Sequence, residues 1–203
     1  PEVCDLITRL TITDGDKHVI DPACGSGGFL ISAYHRLKEL LPEEAGSHPQ
    51  VLSQLAGVDI NRFPAHLSVI NLAIQDLSSY TEYVNVEVND FFRIDPGADR
   101  LQRERATAEG GETETGYTDE MAQFDAVVGN PPYIRSQNIS ESVPAGEHLS
   151  NVNAEYMSDC DIFAYFITHA TEFLADDGRI GFLVSDGWLQ TKYGEDVQQF
   201  LLD

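Results

Sequence analysis

The stretch "HVIDPACGSGGFLISAYHRLKELL" (residues 18–41) carries three signals in order. Val19 and Ile20 form a short apolar run that ends on Asp21. Gly25, Gly27 and Gly28 then crowd into a turn, and behind it Phe29, Leu30, Ala33, Leu37 and Leu40 recur at the spacing of one helix face. A strand, a glycine turn and a helix open a βαβ unit. The rest of the chain repeats the pattern. "LAGVDI" (55–60) is a second strand, and the helix after it is expected to turn Leu67, Ile70 and Ile74 inward. "VNVEVND" (84–90) alternates as a third strand and "FDAVVGN" (124–130) is a fourth. "RIGFLVS" (179–185) is a fifth, after a helix over about 161–175. Ahead of them all, Val3, Leu6, Ile7 and Leu10 mark an amphipathic helix over residues 2–13. Strands alternating with helices predict an α/β fold, a mostly parallel sheet with helices on both faces. In such sheets ligands bind at the carboxyl ends of the strands.

At 203 residues and 42% hydrophobic content, the chain suits one domain with a sizeable core. It has no apolar run long enough to span a membrane and no basic-then-apolar leader, so a cytoplasmic protein away from membranes is expected. Cys4, Cys24 and Cys160, odd in number and far apart, suit a reducing compartment. The six histidines show no metal-ligand spacing, and no metal is expected. The charge is the oddest feature: 34 acidic against 12 basic residues give −22, where a nucleic-acid binder should be basic. Only Lys17, Lys38 and Lys192 are lysines, and the acidic residues run along the whole chain. That distribution points to adaptation to a high-salt cytoplasm, where screening relieves self-repulsion. The rival reading is a protein averse to DNA.

Two segments interrupt the alternation. Residues 96–122 are polar, charged and glycine-containing, read as a short helix plus a mobile acidic loop. Residues 136–160 form a long polar loop of the kind that is either a functional lid or disordered.

The strand ends are the candidate site. The glycine turn permits close approach by a ligand, backed by free N–H groups of the helix N-terminus. As a dinucleotide fingerprint it is incomplete, because the third glycine of G-x-G-x-x-G falls on Leu30. Asp59 ends strand two, where it can accept both hydroxyls of a ribose or simply cap the next helix. Asp90 ends strand three and can accept an exocyclic amine, with Phe91 or Phe92 on a purine face or merely in the core. Together these describe an adenosine-containing ligand. Strand four, placed beside strand one, would aim Asn130 at its reactive end. The Asn130 amide oxygen and the Pro131 carbonyl, directed by Pro132, are two acceptors for an –NH₂ group, and Tyr133 offers a stacking face.

"DPACGSGGF", "GVDIN", "NDFF" and "NPPY", in that order, resemble motifs I to IV of S-adenosylmethionine-dependent DNA adenine-N6 methyltransferases of restriction-modification systems. Among them, type I modification subunits and single-chain restriction-methylation enzymes are the most similar. The resemblance implies a Rossmann-like class I methyltransferase of the gamma arrangement, with residues 1–203 a single catalytic-domain fragment. The last two strands of its sheet and its target recognition domain would lie beyond. It implies that Asp21, Pro22, Ala23 and the Cys24, Gly25, Gly27 turn, with Phe29 behind it, hold the methionine part of S-adenosylmethionine. Asp59 would hold the ribose, Ile60 would lie against the adenine, and Asp90 and Phe91 would read the adenine edge. A flipped adenine of double-stranded DNA would stack on Tyr133, its N6 held by Asn130 and Pro131 beside Pro132. Partners implied are DNA, through the absent recognition domain or a specificity subunit, and a restriction subunit. Three alternatives stay open: a protein glutamine as acceptor, an rRNA base as acceptor, and a modification-like subunit without turnover.

Overall fold

The computed structural model describes residues 2–42, 44–79, 84–94, 96, 123–134 and 160–202, with the backbone of 102–104 and 115–117. In chain order the elements are α1 (Glu2–Thr11), β1 (Val19–Asp21), α2 (Gly28–Leu40), α3 (His48–Ser53), β2 (Leu55–Asp59), α4 (Arg62–Ala73) and β3 (Asn85–Val88). There follow β4 (Gln102–Glu104), β5 (Thr115–Tyr117), β6 (Phe124–Gly129), α5 (Ile162–Thr171), β7 (Leu174–Phe182) and α6 (Lys192–Leu202). Five strands form one sheet in the order β3-β2-β1-β6-β7, every pairing parallel. The chain starts at the central β1, steps outward to β3, then returns to lay β6 on the other side of β1. That reversal opens a crevice at the carboxyl ends of β1 and β6.

The strands are short apolar runs because both their faces are covered. Ile20, Val58 and Val127 face the cluster built by Phe163, Phe166 and Ala170 of α5. Val19, Ala126 and Val128 face the opposite layer of Leu30, Ala33 and Leu37 from α2 with Leu72 of α4. Phe29, Leu30, Ala33 and Leu37 are buried on the face expected of them, with Leu40 packed at its edge.

Two helices sit otherwise than expected. In α4 the inward residues are Ala65, Ser68, Val69 and Leu72, whereas Ile70 and Ile74 are 54% and 51% exposed. The small Ala65 and Ser68 let this helix press against the glycine turn, an approach that the bulkier stripe would prevent. In α1, Val3, Leu6 and Leu10 point outward, and Thr8 and Thr11 are buried instead. Their hydroxyls donate back to the Cys4 and Ile7 carbonyls, both at 2.9 Å, so they need no outside partner and their methyls pack inward. Most of the expected helix and loop over 96–122 lies outside the described residues. The described strands within it form an antiparallel ribbon of β4 and β5, pairing Gln102 with Tyr117 and Glu104 with Thr115, and not a helix. Of the expected loop over 136–160, only Cys160 falls within the described residues.

Candidate active site

At the end of β1 the chain turns on two left-handed glycines, Gly25 (φ 53°) and Gly27 (φ 88°), conformations that a Cβ strains. A Cβ on Gly27 would also stand 2.7 Å from the Ser68 Oγ of α4. Both facts force the backbone of the turn against its neighbours, and α2 starts directly after it. The turn is then sewn to the adjacent strand. The Cys24 N–H donates to the Val58 carbonyl at 2.8 Å, and the Gly25 N–H donates to Asp59 Oδ2 at 2.9 Å. The other oxygen, Asp59 Oδ1, accepts from the Asn61 N–H at 2.8 Å, and Asn61, not Asp59, takes the N-cap position of α4. Each Asp59 oxygen keeps one lone-pair direction for a ligand hydroxyl.

The third strand end joins through the Asn89 N–H, which donates to the Asp59 carbonyl at 3.1 Å. Asp90 caps a 3₁₀ turn over Phe91–Arg93, its Oδ1 accepting from the Phe92 N–H at 3.2 Å. The Phe91 and Phe92 rings belong to the core, 2% and 5% exposed, and Phe91 stacks on Phe166 with centroids 5.6 Å apart.

On the far side of β1, β6 ends at Gly129 and releases Asn130. The Tyr133 hydroxyl lies 2.7 Å from Asn130 Oδ1 and 3.0 Å from the Leu183 carbonyl, sharing its one hydrogen between two acceptors. In this arrangement the amide oxygen of Asn130 faces the Tyr133 hydroxyl at the strand end. The Tyr133 ring is 54% exposed, and Pro131 is buried beneath. Farther along, the Ile134 carbonyl accepts from the Ile162 N–H at 2.9 Å, fastening this segment to the start of α5.

A cavity of about 380 Å³ joins the strand ends. Of the residues expected from sequence, Pro22 and Ala23 line it from β1's turn, Asp59 and Ile60 from β2, Asp90 and Phe91 from β3, and Asn130 and Pro132 from β6. The other expected residues do not line it: Asp21, Cys24 and Phe29 are buried, Gly25, Gly27 and Pro131 lie outside the lining, and Tyr133 is exposed next to Pro132 in the chain. Sequence reasoning missed Asn61, Asn89, Ile134, Ile162 and Phe166 as lining. Asn61 and Asn89 could have been found as polar neighbours of strand-end aspartates. Ile162 and Phe166 read simply as an apolar helix.

Asp21 is 1% exposed, with its Oδ1 accepting from the Ala23 N–H at 3.0 Å. Burial pushes its carboxyl up to about 8, the charge of Asp59 adds to this, and the Ala23 N–H opposes it. Gly129 makes room for it, since a Cβ there would lie 2.7 Å from Asp21 Oδ1. Burial likewise pushes the Cys24 thiol up, which keeps it unreactive. Among the described residues no cluster of His, Cys, Asp and Glu could hold a metal, and no helix is long and apolar enough to cross a membrane.

The sheet order, the glycine turn after the central strand and the crevice define a Rossmann-like class I methyltransferase fold. The type I restriction-modification methyltransferase subunit from Streptococcus thermophilus superposes with a TM-score of 0.60 at 16% identity, covering 100% of this chain and 38% of that one. The match to the Eco57I restriction-modification methylase family runs over residues 53–203, and the chain belongs to that family. Type II methyltransferase M.BstVI from Geobacillus stearothermophilus is 28% identical over 218 residues, covering 100% of this chain and 35% of that protein. Adenine-specific methyltransferase PglX from Streptomyces coelicolor is 25% identical over 215 residues, covering 87% of this chain and 17% of that protein. The chain thus spans about a third of the first of these relatives and less of the second. Fold and family imply S-adenosylmethionine as cofactor. The residues fit it: a glycine turn closed to side chains, two strand-end carboxylates with acceptor capacity, and a cavity within the ~300–1,000 Å³ of small-molecule sites.

Proposed function

We propose that this chain is the catalytic part of a DNA methyltransferase that transfers a methyl group to N6 of adenine in double-stranded DNA, within a restriction-modification system. The observation that carries the reading is the position of Asn130 on the same cavity as Asp59 and Asp90, its amide oxygen held by Tyr133. Asp59 accepts ribose hydroxyls through its remaining lone pairs, Asp90 accepts the exocyclic amine of the cofactor's adenine, and Ile60 packs on that ring. The Cys24–Gly27 turn and Asp21 receive the methionine part. S-adenosylmethionine, when bound, supplies a methyl group activated by its sulfonium.

A target adenine flipped out of the duplex stacks on the Tyr133 face. Its two N6 hydrogens go to the Asn130 Oδ1, which has a second lone pair beyond the Tyr133 hydrogen bond, and to the Pro131 carbonyl, whose direction Pro132 restricts. Both acceptors draw the amine out of conjugation and turn its lone pair toward the cavity. Orientation is the main contribution. The same two oxygens stabilise the positive charge that develops on nitrogen, and the proton becomes acidic only then, so no strong general base is needed. With net charge −22, DNA affinity has to come from stacking, base-edge contacts and a recognition domain or specificity subunit of the whole protein. A cytoplasmic location accords with this role.

The test is calorimetric titration of S-adenosylmethionine in molar potassium chloride, together with methyl transfer to DNA, for the unmodified chain and for Asp59→Ala, Asn130→Ala and Tyr133→Ala. Asp59→Ala is expected to abolish or strongly weaken cofactor binding. Asn130→Ala and Tyr133→Ala should leave that binding in place and remove N6-methyladenine from the product. Equal loss of cofactor affinity in all three sinks this division of roles, and a methylated glutamine or RNA base as product sinks the acceptor.

A further inference from the structure

Behind the cavity wall lies a buried polar side chain to which the proposed chemistry gives no task. His169 of α5 is 1% exposed and surrounded by Phe91, Phe92 and Phe173, with ring centroids 4.7, 5.8 and 5.1 Å away. Its Nε2 lies 3.1 Å from the Phe91 carbonyl, 78 residues earlier in the chain. A carbonyl can only accept, so Nε2 carries the hydrogen. On the other side of the ring, Nδ1 is 3.6 Å from Glu172 Oε2.

The contact matters because of where Phe91 sits. Its carbonyl also accepts from the Ile94 N–H at 3.1 Å, which closes the 3₁₀ turn that Asp90 caps. With Oδ1 committed to the Phe92 N–H, the direction of Asp90 Oδ2 follows the pose of that turn. His169 thus ties the turn to α5, whose Ile162 and Phe166 line the same cavity.

We infer that His169 is a positioning residue for nucleoside selection: through the Phe91 carbonyl it sets the turn from which Asp90 meets the exocyclic amine of the adenosine ligand. This rests on the proposed reading of Asp90. The probes are S-adenosylhomocysteine and S-inosylhomocysteine, which differ along one purine edge: position 6 bears an amine in one and a carbonyl oxygen in the other, and N1 accepts in the first and carries a hydrogen in the second. Calorimetry on the unmodified chain should show preference for the adenosine form, and Asp90→Asn should erase it. His169→Leu should weaken the adenosine form about tenfold, the effect of losing one buried hydrogen bond, and hardly change the inosine form. His169→Gln should restore binding, because its amide nitrogen falls near the Nε2 position. His169→Asn should not, since its amide nitrogen falls near Nδ1, and this pair decides the matter if His169→Leu does not fold.

Equal weakening of both ligands by His169→Leu, or failure of Gln to outperform Asn, overturns the inference and leaves the Asp90 reading intact. Retained preference in Asp90→Asn, or a folded chain that binds neither ligand, overturns that reading and the inference with it.

Discussion

Asp21 makes the stability of this chain depend on pH in an unusual direction. Its carboxyl is raised from 3.8 to about 8 in the folded state, burial being the first cause. Between those values the folded chain keeps a proton that the unfolded chain has released, so stability falls as pH rises through that window. Below 3.8 the contribution is fully present, and above about 8 the loss is complete. The full rise corresponds to at most ~6 kcal/mol, and relaxation around the ionised carboxylate leaves less. Replacing Asp21 by Asn removes the titration and keeps the shape. In urea denaturation at about pH 9, Asp21→Asn is expected to be more stable than the unmodified chain by roughly 2–4 kcal/mol. Near pH 5, where the unfolded chain has already released most of this proton, the gap should shrink to about 1–2 kcal/mol, and near pH 4 to less than about 1 kcal/mol. Glu39 and Asp125, whose carboxyls are lowered by Arg36 and Arg9 and by His18 and Lys17 respectively, are common to both proteins and cancel in the difference. Parallel stability curves for the two proteins across this pH range would refute the buried, protonated Asp21.

Two further outcomes follow from the same packing and charge. Gly129→Ala sets a Cβ 2.7 Å from Asp21 Oδ1 and should cost about 1–3 kcal/mol in thermal or urea unfolding, a cost that Asp21→Ala in the same chain relieves; additive costs would refute the clash. A net charge of −22 should make the melting temperature rise by roughly 10 °C between about 0.1 and about 2 M potassium chloride, and a flat calorimetric response would remove the high-salt reading.

The features legible in the sequence are those determined over short range. A glycine turn between an apolar run and a helix face is local chemistry, so β1, its turn and α2 were readable from residues 18–41. The same holds for Asp59, Asp90 and Asn130 at the ends of their strands, because a short apolar or alternating run followed by a polar residue marks where a strand stops. Which stripe of a helix turns inward is not local. Helix α4 carries one apolar stripe through Leu67, Ile70 and Ile74 and another through Ala65, Val69 and Leu72, and its packing against α2 and the sheet, with Ser68 close to Gly27, selects the second. Likewise Thr8 and Thr11 look like surface residues until their hydroxyls bond back into α1. The cavity wall of Ile162 and Phe166, the hold of Tyr133 on Leu183, and the reach of His169 to Phe91 join residues far apart in the chain. The sequence by itself determined the parallel α/β fold and the chemical groups at its strand ends. Only the tertiary structure decided which of those groups share one cavity and what holds them there, because that depends on the packing of whole elements and not on the residues beside each group.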